Sequence, residues 1–296
     1  MSPKLVETAW ERWRRRAAKL RSHPQRARFL ASRALWLAGV SSWFTVDLPD
    51  GLRVRFYPSS VSAALWVSPD ARNDDAAFLD TVLRPGDTYL DCGANIGHLA
   101  IVARSIVGRE GVVTAIEPNP RIFEYCVDNL RLNGFADVLA LNTALGETRG
   151  AVCISDRRDD DQNRVGDAGT LVPLRPLDDI VGATPVTLLK LDVEGYELQV
   201  LKGAARTLAI TSVVYCELSE PNSARFGYHP REVEDLLLSH GFVFARADGA
   251  AWNIVRHRLY ETVEHMPRTG FNLVAVRVGA LDDFAARLAA RGQRII

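Results

Sequence analysis

The run Thr88-Tyr89-Leu90-Asp91-Cys92-Gly93-Ala94-Asn95-Ile96-Gly97 passes from a β-like stretch into a glycine turn, and Glu117 closes the next β-like stretch twenty residues after Gly97. Two glycines at a strand-to-helix turn let the backbone approach a ligand, and a carboxylate at the end of the following strand can accept both hydroxyl protons of a ribose. The pattern differs from the dinucleotide fingerprint: Asn95 stands where its second glycine belongs, and Gly97 falls one position early for its third. Pyrophosphate is thereby disfavoured. S-adenosylmethionine carries a nucleoside and an amino acid without phosphate, and suits the turn better.

Working outward, short apolar runs alternate with amphipathic stretches. Strands are expected at 87–91, 112–117, 137–142, 150–155, 186–192, 212–217, 242–246 and 271–278, and helices at 95–107, 120–133, 197–208, 230–240 and from 281. Such alternation predicts an α/β fold with a mostly parallel, seven-stranded, Rossmann-like sheet covered by helices on both faces, and ligands at the carboxyl ends of its strands. Ahead of it, Phe44–Leu48 and Leu52–Phe56 alternate with period two around Pro49-Asp50-Gly51, a β-hairpin signal. Before that, a helix starting at Ser2-Pro3 carries Trp10, Trp13, Ala17 and Leu20 on one face, His23-Pro24 interrupts it, and a second helix spans Gln25 to about Ala38. The expected organisation is a basic helical arm at 1–42, a catalytic domain at 43–280 and a C-terminal helix at 281–296.

Residues 1–40 hold ten Lys/Arg against Glu7 and Glu11, a local charge of +8 that the rest of a neutral chain balances. A catalytic body without a basic excess argues against nucleic acid as substrate. The arm reads as a packing element on its own domain or in a homodimer, or as a peripheral contact with a membrane surface. No apolar run reaches the ~20 residues of a membrane span, no secretory leader is recognisable, and a cytoplasmic location is expected. Cys92, Cys126, Cys153 and Cys216 show no metal-ligand spacing and read as reduced core thiols.

Lys190-Leu-Asp192-Val-Glu194-Gly195-Tyr-Glu197, followed by Val200-Leu201-Lys202-Gly203-Ala204, resembles the FkbM family of S-adenosylmethionine-dependent methyltransferases. Supporting pieces stand in the family's order: the Asp91 turn, Glu117-Pro118-Asn119-Pro120, Asn129-Leu-Arg-Leu-Asn133, Ala144-Leu145-Gly146 and Leu177-Asp178-Asp179, over roughly 45–278. The resemblance implies a class I methyltransferase fold and, usually, methylation of a hydroxyl on a sugar, glycolipid, polyketide or similar small molecule.

The residues themselves divide into two groups. For the cofactor, Gly93 and Gly97 are expected to bring backbone amides to the methionine carboxylate, with the helix beginning near Asn95 adding its positive end. Asp91 is placed to hold the ammonium and Glu117 the ribose. Asn119 is a candidate contact as well as a helix cap, and Asn142 and Ala144 lie where the adenine edge is read or in an ordinary turn. For the chemistry, Lys190 and Asp192 share one side of a strand by alternation and Glu194 follows at the turn. Unpaired buried charges are costly, so these groups either pair or face a cleft. An alcohol must lose its proton as it is methylated; Asp192 is the first candidate base, with Glu194 and His98 as rivals and Lys190 as their orienter. Glu217, ending the next strand, could with Asp192 hold a magnesium ion. The charged stretch at 155–164 reads as a solvated loop, or as a cover over the acceptor, and the loop at 221–230 is the other acceptor-side candidate; substrate selectivity is expected to lie in these two. Two other readings remain open at this level: a nicotinamide-dependent oxidoreductase, which the glycine offsets oppose, and an inactive scaffold, which the intact set Asp91, Glu117, Lys190, Asp192 and Glu194 opposes.

Overall fold

In the computed structural model, which describes residues 25–155, 164–166, 168–259 and 270–296, the alternating runs assemble into one large sheet with helices on both faces. Before the sheet come helix α1 (Arg26–Leu37), the hairpin strands β1 (Thr45–Asp47) and β2 (Arg53–Arg55), and helices α2 (Ser60–Val67) and α3 (Asn73–Val82). The core then runs β3 (Thr88–Cys92), α4 (His98–Val107), β4 (Val112–Ile116), α5 (Pro120–Leu132), β5 (Leu139–Leu141), and a small sheet of β6 (Ala144–Leu145), β7 (Gly150–Ile154), β8 (Val165–Gly166) and β9 (Thr170–Arg175). It returns through β10 (Val186–Leu191), α6 (Glu197–Lys202), α7 (Ala205–Ala209), β11 (Thr211–Leu218), α8 (Glu220–Ser223), α9 (Pro230–Ser239), β12 (Phe242–Asp248), β13 (Ala251–Val255), β14 (Phe271–Arg277), α10 (Leu281–Ala289) and β15 (Arg294–Ile295).

The large sheet has the order β15-β13-β12-β14-β11-β10-β3-β4-β5. From β11 to β5 all pairings are parallel, and β14 and β12 continue it antiparallel. The seven expected core strands thus lie within a sheet of nine. The two extra strands, β13 and β15, close its edge as an antiparallel partner of β12 and a two-residue parallel addition. Neither shows the alternation that would mark a strand in the sequence: in β13 only Trp252 is buried.

Period-two alternation sends neighbouring residues to opposite faces. Tyr89 and Leu188 join Leu79, Leu99, Ile122 and Phe284 on one face, while Leu90 and Leu189 join Leu198, Leu208 and Leu237 on the other. The C-terminal helix is part of the first layer, with Phe284 in the core and Arg287 paired to Asp87.

Two boundaries differ from the expected ones for physical reasons, and two helices were not expected. Helix α4 starts at His98 rather than Asn95, because Asn95 (φ 50°) and Gly97 (φ 82°) are both left-handed and the helix cannot begin until the turn ends. The helix expected over 197–208 is broken at Gly203, where a Cβ would lie 2.1 Å from the Gly146 carbonyl oxygen. Helices α2 and α3 carry no signal that the sequence reading used; they bridge the hairpin and the sheet.

The hairpin is fastened to α5 by two amides: Arg53 N–H donates to Asn133 at 2.9 Å and Arg55 N–H to Asn129 at 2.8 Å. Helix α1 lies against α2 through Trp36, Phe56 and Trp66 and leaves Leu30 and Leu37 exposed. The helix expected from Ser2 lies outside the described residues, as does most of the charged 155–164 loop. No described helix is long and apolar enough to cross a membrane, and all four cysteines are free.

Candidate active site

Strand order reverses at β3, and a cleft opens there across the carboxyl ends of β10, β3 and β4. Its floor is the turn Gly93-Ala94-Asn95-Ile96. Glu117 and Pro118 line one end, and Lys190, Asp192, Val193 and Glu194 line the other. His98 and Leu99 rise from the first turn of α4, Thr143, Ala144 and Leu145 close the nucleoside side, and Val61 and Arg72 cover the opposite side.

Glu117 is buried, and its position is fixed by main chain. One carboxylate oxygen accepts the Asn95 N–H at 2.9 Å and the other the Asn119 N–H at 2.9 Å. Glu117 lines the cleft just after β4. Asn119 itself stands behind the wall: its side chain caps α5 by accepting the amides of Arg121 and Ile122. Asn142 also braces rather than lines, donating to the carbonyls of Glu117 and Pro118 at 2.9 and 3.0 Å.

The glycine turn works differently from the sequence expectation. The amides of Gly93 and Ala94 both donate to the Ile116 carbonyl, that of Gly97 to Ala94, and that of Asn95 to Glu117. They are occupied within the turn, so the open donors at this point are the first-turn amides of α4. Gly93 is required by packing, since a Cβ there would lie 1.8 Å from the Asp192 carbonyl oxygen. Gly97 lies outside the cleft and lets α5 approach, its would-be Cβ 2.9 Å from Cys126 Sγ.

At the other end, Lys190 Nζ donates to the Gly93 carbonyl at 2.8 Å and lies 3.1 Å from Asp91 and 3.6 Å from Asp192. Asp91 is fully buried beneath it and does not reach the cleft. Its contact to Lys190 is an ion pair in distance, though neither carboxylate oxygen has a hydrogen bond of good direction. Burial opposes charge on both partners and raises the Asp91 carboxyl. The same burial opposes the ammonium of Lys190, but Asp91 and Asp192 together outweigh it and its pKa rises, so the proton stays on the lysine.

Glu194 has a left-handed backbone (φ 55°) and accepts from Asn222 at 3.1 Å. The turn that presents it is held by Glu197, the last acid of the motif. Glu197 accepts the amides of Val193 and Gly195 at 3.3 and 3.0 Å and the Tyr228 hydroxyl at 3.0 Å. His98 is buried with Nδ1 lacking a partner. Burial, then the nearby Arg72, pushes its pKa down to about 4, leaving a neutral imidazole at pH 7.

Arg72, which no sequence pattern singled out, lies just before α3. It pairs with Asp75 at 3.4 Å and feels the charges of Asp192 and Glu217. Glu217 ends β11 outside the cleft lining. Its side chain is exposed, and chiefly the like charge of Asp192 pushes its carboxyl up to about 7. The magnesium ion expected on Asp192 and Glu217 finds no built site. Among the described residues no group of three or more His, Cys, Asp or Glu side chains could hold a metal, and the positive charges that act on the pair are the Arg72 guanidinium and the Lys190 ammonium. Tyr196, inside the family motif, Arg164, at the end of the charged loop, and Val165 also line the cleft.

Comparison with known proteins places this geometry. The model of the methyltransferase FkbM domain matches residues 91–244, more than half of the chain. The hexuronic acid methyltransferase AglP of Haloferax volcanii is 29% identical over 196 residues, 63% of this chain and 77% of that protein. The methyltransferase sdnD of Sordaria araneosa is 25% identical over 249 residues, 70% of this chain and 93% of that one. Among solved structures, a SAM-dependent methyltransferase from Aquifex aeolicus aligns at 14% identity with a TM-score of 0.41, covering 71% of this chain and 94% of that one. The chain belongs to the FkbM family and is an S-adenosylmethionine-dependent methyltransferase.

Proposed function

We propose that the protein transfers a methyl group to a hydroxyl of a small sugar-containing or polyketide-like acceptor, with Asp192 as the base. The observation that carries this reading is the placement of Glu117, the glycine turn and Asp192 on three successive strand ends within one cleft. Two strand spacings amount to roughly 10 Å, a span suited to a ligand that extends from a ribose to a reacting sulfur.

The residues present fit S-adenosylmethionine. Glu117 is a carboxylate at the strand end where a ribose diol would be held, Pro118, Ile122 and Ala144 offer an apolar wall for a base, and the positive end of α4 suits a carboxylate. When bound, this donor supplies an electrophilic methyl group on a sulfonium. The chain's own residues then do the rest. Asp192 takes the acceptor proton, Lys190 keeps Asp192 oriented, and Val61 and Leu99 help exclude water. His98 shapes the wall as a neutral group and is a poor base, because its pKa of about 4 lies far below that of a base poised near 7. Glu194, already engaged by Asn222, is placed to hold a second acceptor hydroxyl.

The sugar-like acceptor class draws support from the name of the Haloferax relative, and the zero net charge favours a small molecule over nucleic acid. Calorimetry with S-adenosylmethionine and S-adenosylhomocysteine on wild type and Glu117→Ala tests the donor site, and a screen of hydroxylated sugars and polyketides for methyl ethers tests the acceptor. Binding lost in the variant and an ether product are expected. A product methylated on nitrogen or carboxylate would overturn the hydroxyl assignment.

A further inference from the structure

Asp192 and Glu217 extend neighbouring parallel strands. Leu191 of β10 is in register with Cys216 of β11, so the next residues stand side by side, and alternation points both to the face that carries Lys190 and Tyr215. Besides Glu194, which accepts from Asn222, four carboxylates gather at this end: Asp75, Asp91, Asp192 and Glu217. Lys190 is committed to Asp91, Asp192 and the Gly93 carbonyl. Among the described residues, that leaves Asp75, Glu217 and part of Asp192 to be balanced by Arg72.

Arg72 is itself anchored from below. Its partner Asp75 accepts the Tyr215 hydroxyl at 2.7 Å, and Asn272 donates to that same hydroxyl at 2.6 Å. Tyr215 stacks on Phe78 with ring centroids 4.4 Å apart. The guanidinium is therefore held at the cleft wall by a network rooted in β11, β14 and α3.

We propose that Arg72 is the positioning residue of the acceptor end, gathering Asp192 and Glu217 onto one guanidinium and performing there the charge-balancing task for which a divalent ion would otherwise be needed. The inference rests on the assignment of Asp192 as base. With Arg72 in place, the two adjacent carboxylates share one countercharge, and Glu217, raised by the like charge beside it, takes up a proton first. His98, which faces the same wall, stays neutral and adds no charge to the balance.

The test is carboxyl carbon NMR of the full chain saturated with S-adenosylhomocysteine, titrated from pH 4 to 9, in wild type, Arg72→Gln and Arg72→Lys, with Glu217→Gln used to assign the resonance. A carboxyl midpoint near 7 is expected in wild type. It should move upward by roughly one pH unit or more in Arg72→Gln, as loss of an adjacent opposite charge requires, and return most of the way in Arg72→Lys. Millimolar magnesium should leave the wild-type curve unchanged. An unshifted midpoint in Arg72→Gln, or a wild-type curve displaced by magnesium, would overturn the proposal. If Arg72→Gln does not fold, wild type and Arg72→Lys carry the test, and a titration curve displaced by millimolar magnesium in either would overturn the proposal equally. S-adenosylhomocysteine affinity is followed in parallel: its absence in wild type would count against the donor site, whereas its retention in every variant isolates the role of Arg72.

Discussion

Asp192 and Glu117 share a cleft but differ in what holds them, and their substitutions should fail differently. Asp192→Asn keeps the size of the side chain and removes its basicity. It is expected to lower kcat by about 10²–10⁴-fold while S-adenosylhomocysteine binds as in wild type, which calorimetry beside a turnover assay would show. Gly93→Ala is predicted to be far more damaging than a methyl group suggests. At φ 83° an L-residue is strained, and the new Cβ would collide with the Asp192 carbonyl. Loss of soluble folded protein, or a drop in melting temperature of many degrees, is the expected result, and a melt indistinguishable from wild type would contradict this account of the turn. The placing of Glu117 and Lys190 at the cleft was legible in sequence, because a charge that closes an apolar strand must find a partner or a ligand. That of Arg72 was not: an arginine between short helices looks like any solvated one until the carboxylates around it are brought together by the fold.

The turn at 193–196 shows what one buried acid does for an element. Glu197 takes two amides and a tyrosine hydroxyl, so Glu197→Ala leaves those donors without a partner at a cost of about 1–3 kcal/mol for each group left unsatisfied. Chemical denaturation should show a stability loss of that order, and Tyr228→Phe a smaller one; equal losses would mean that the hydroxyl, not the amides, is the anchor. At this level sequence patterns succeed where periodicity is clean, as in α5 and α9, whose starts are marked by Asn119-Pro120 and His229-Pro230. They miss α2 because Ser60–Val67 is short and almost wholly apolar. A helix sandwiched between α1 and the cleft has no polar face to reveal its period. The cap was present all the same, since the Ser59 hydroxyl accepts the Ser62 amide at 3.0 Å.

At the scale of the whole molecule, His98 and Glu217 are two of the perturbed groups among the described residues, and they make stability depend on pH in opposite senses. His98 has its folded pKa lowered from 6.5 to about 4, so its contribution is complete above pH 6.5 and is lost as pH falls toward 4. Glu217 has its folded pKa raised from 4.5 to about 7. Its contribution is complete below 4.5 and is lost as pH rises toward 7. Denaturation of wild type and His98→Gln across pH 4.5–7.5 should show the variant with a weaker acid-side decline, and Glu217→Gln with a weaker opposing slope, the rest of which Glu234, raised by burial to about 7, sustains. The parallel core of the sheet and the opening of a cleft at its strand ends were readable from the alternation of elements alone. The edge strands β13 and β15 were not, because an edge is defined by its partner and carries little pattern of its own.

Main-chain amides fix Glu117, while the acceptor end is composed of side chains that brace one another. Backbone donors survive almost any substitution around them, whereas a network of side chains can be rebuilt one replacement at a time. Descendants of this chain could therefore drift toward new acceptors while their claim on the methyl donor stays intact, and a directed library would do best to randomise Val61, Arg164 and Tyr196 and leave residues 93–97 and 117 untouched.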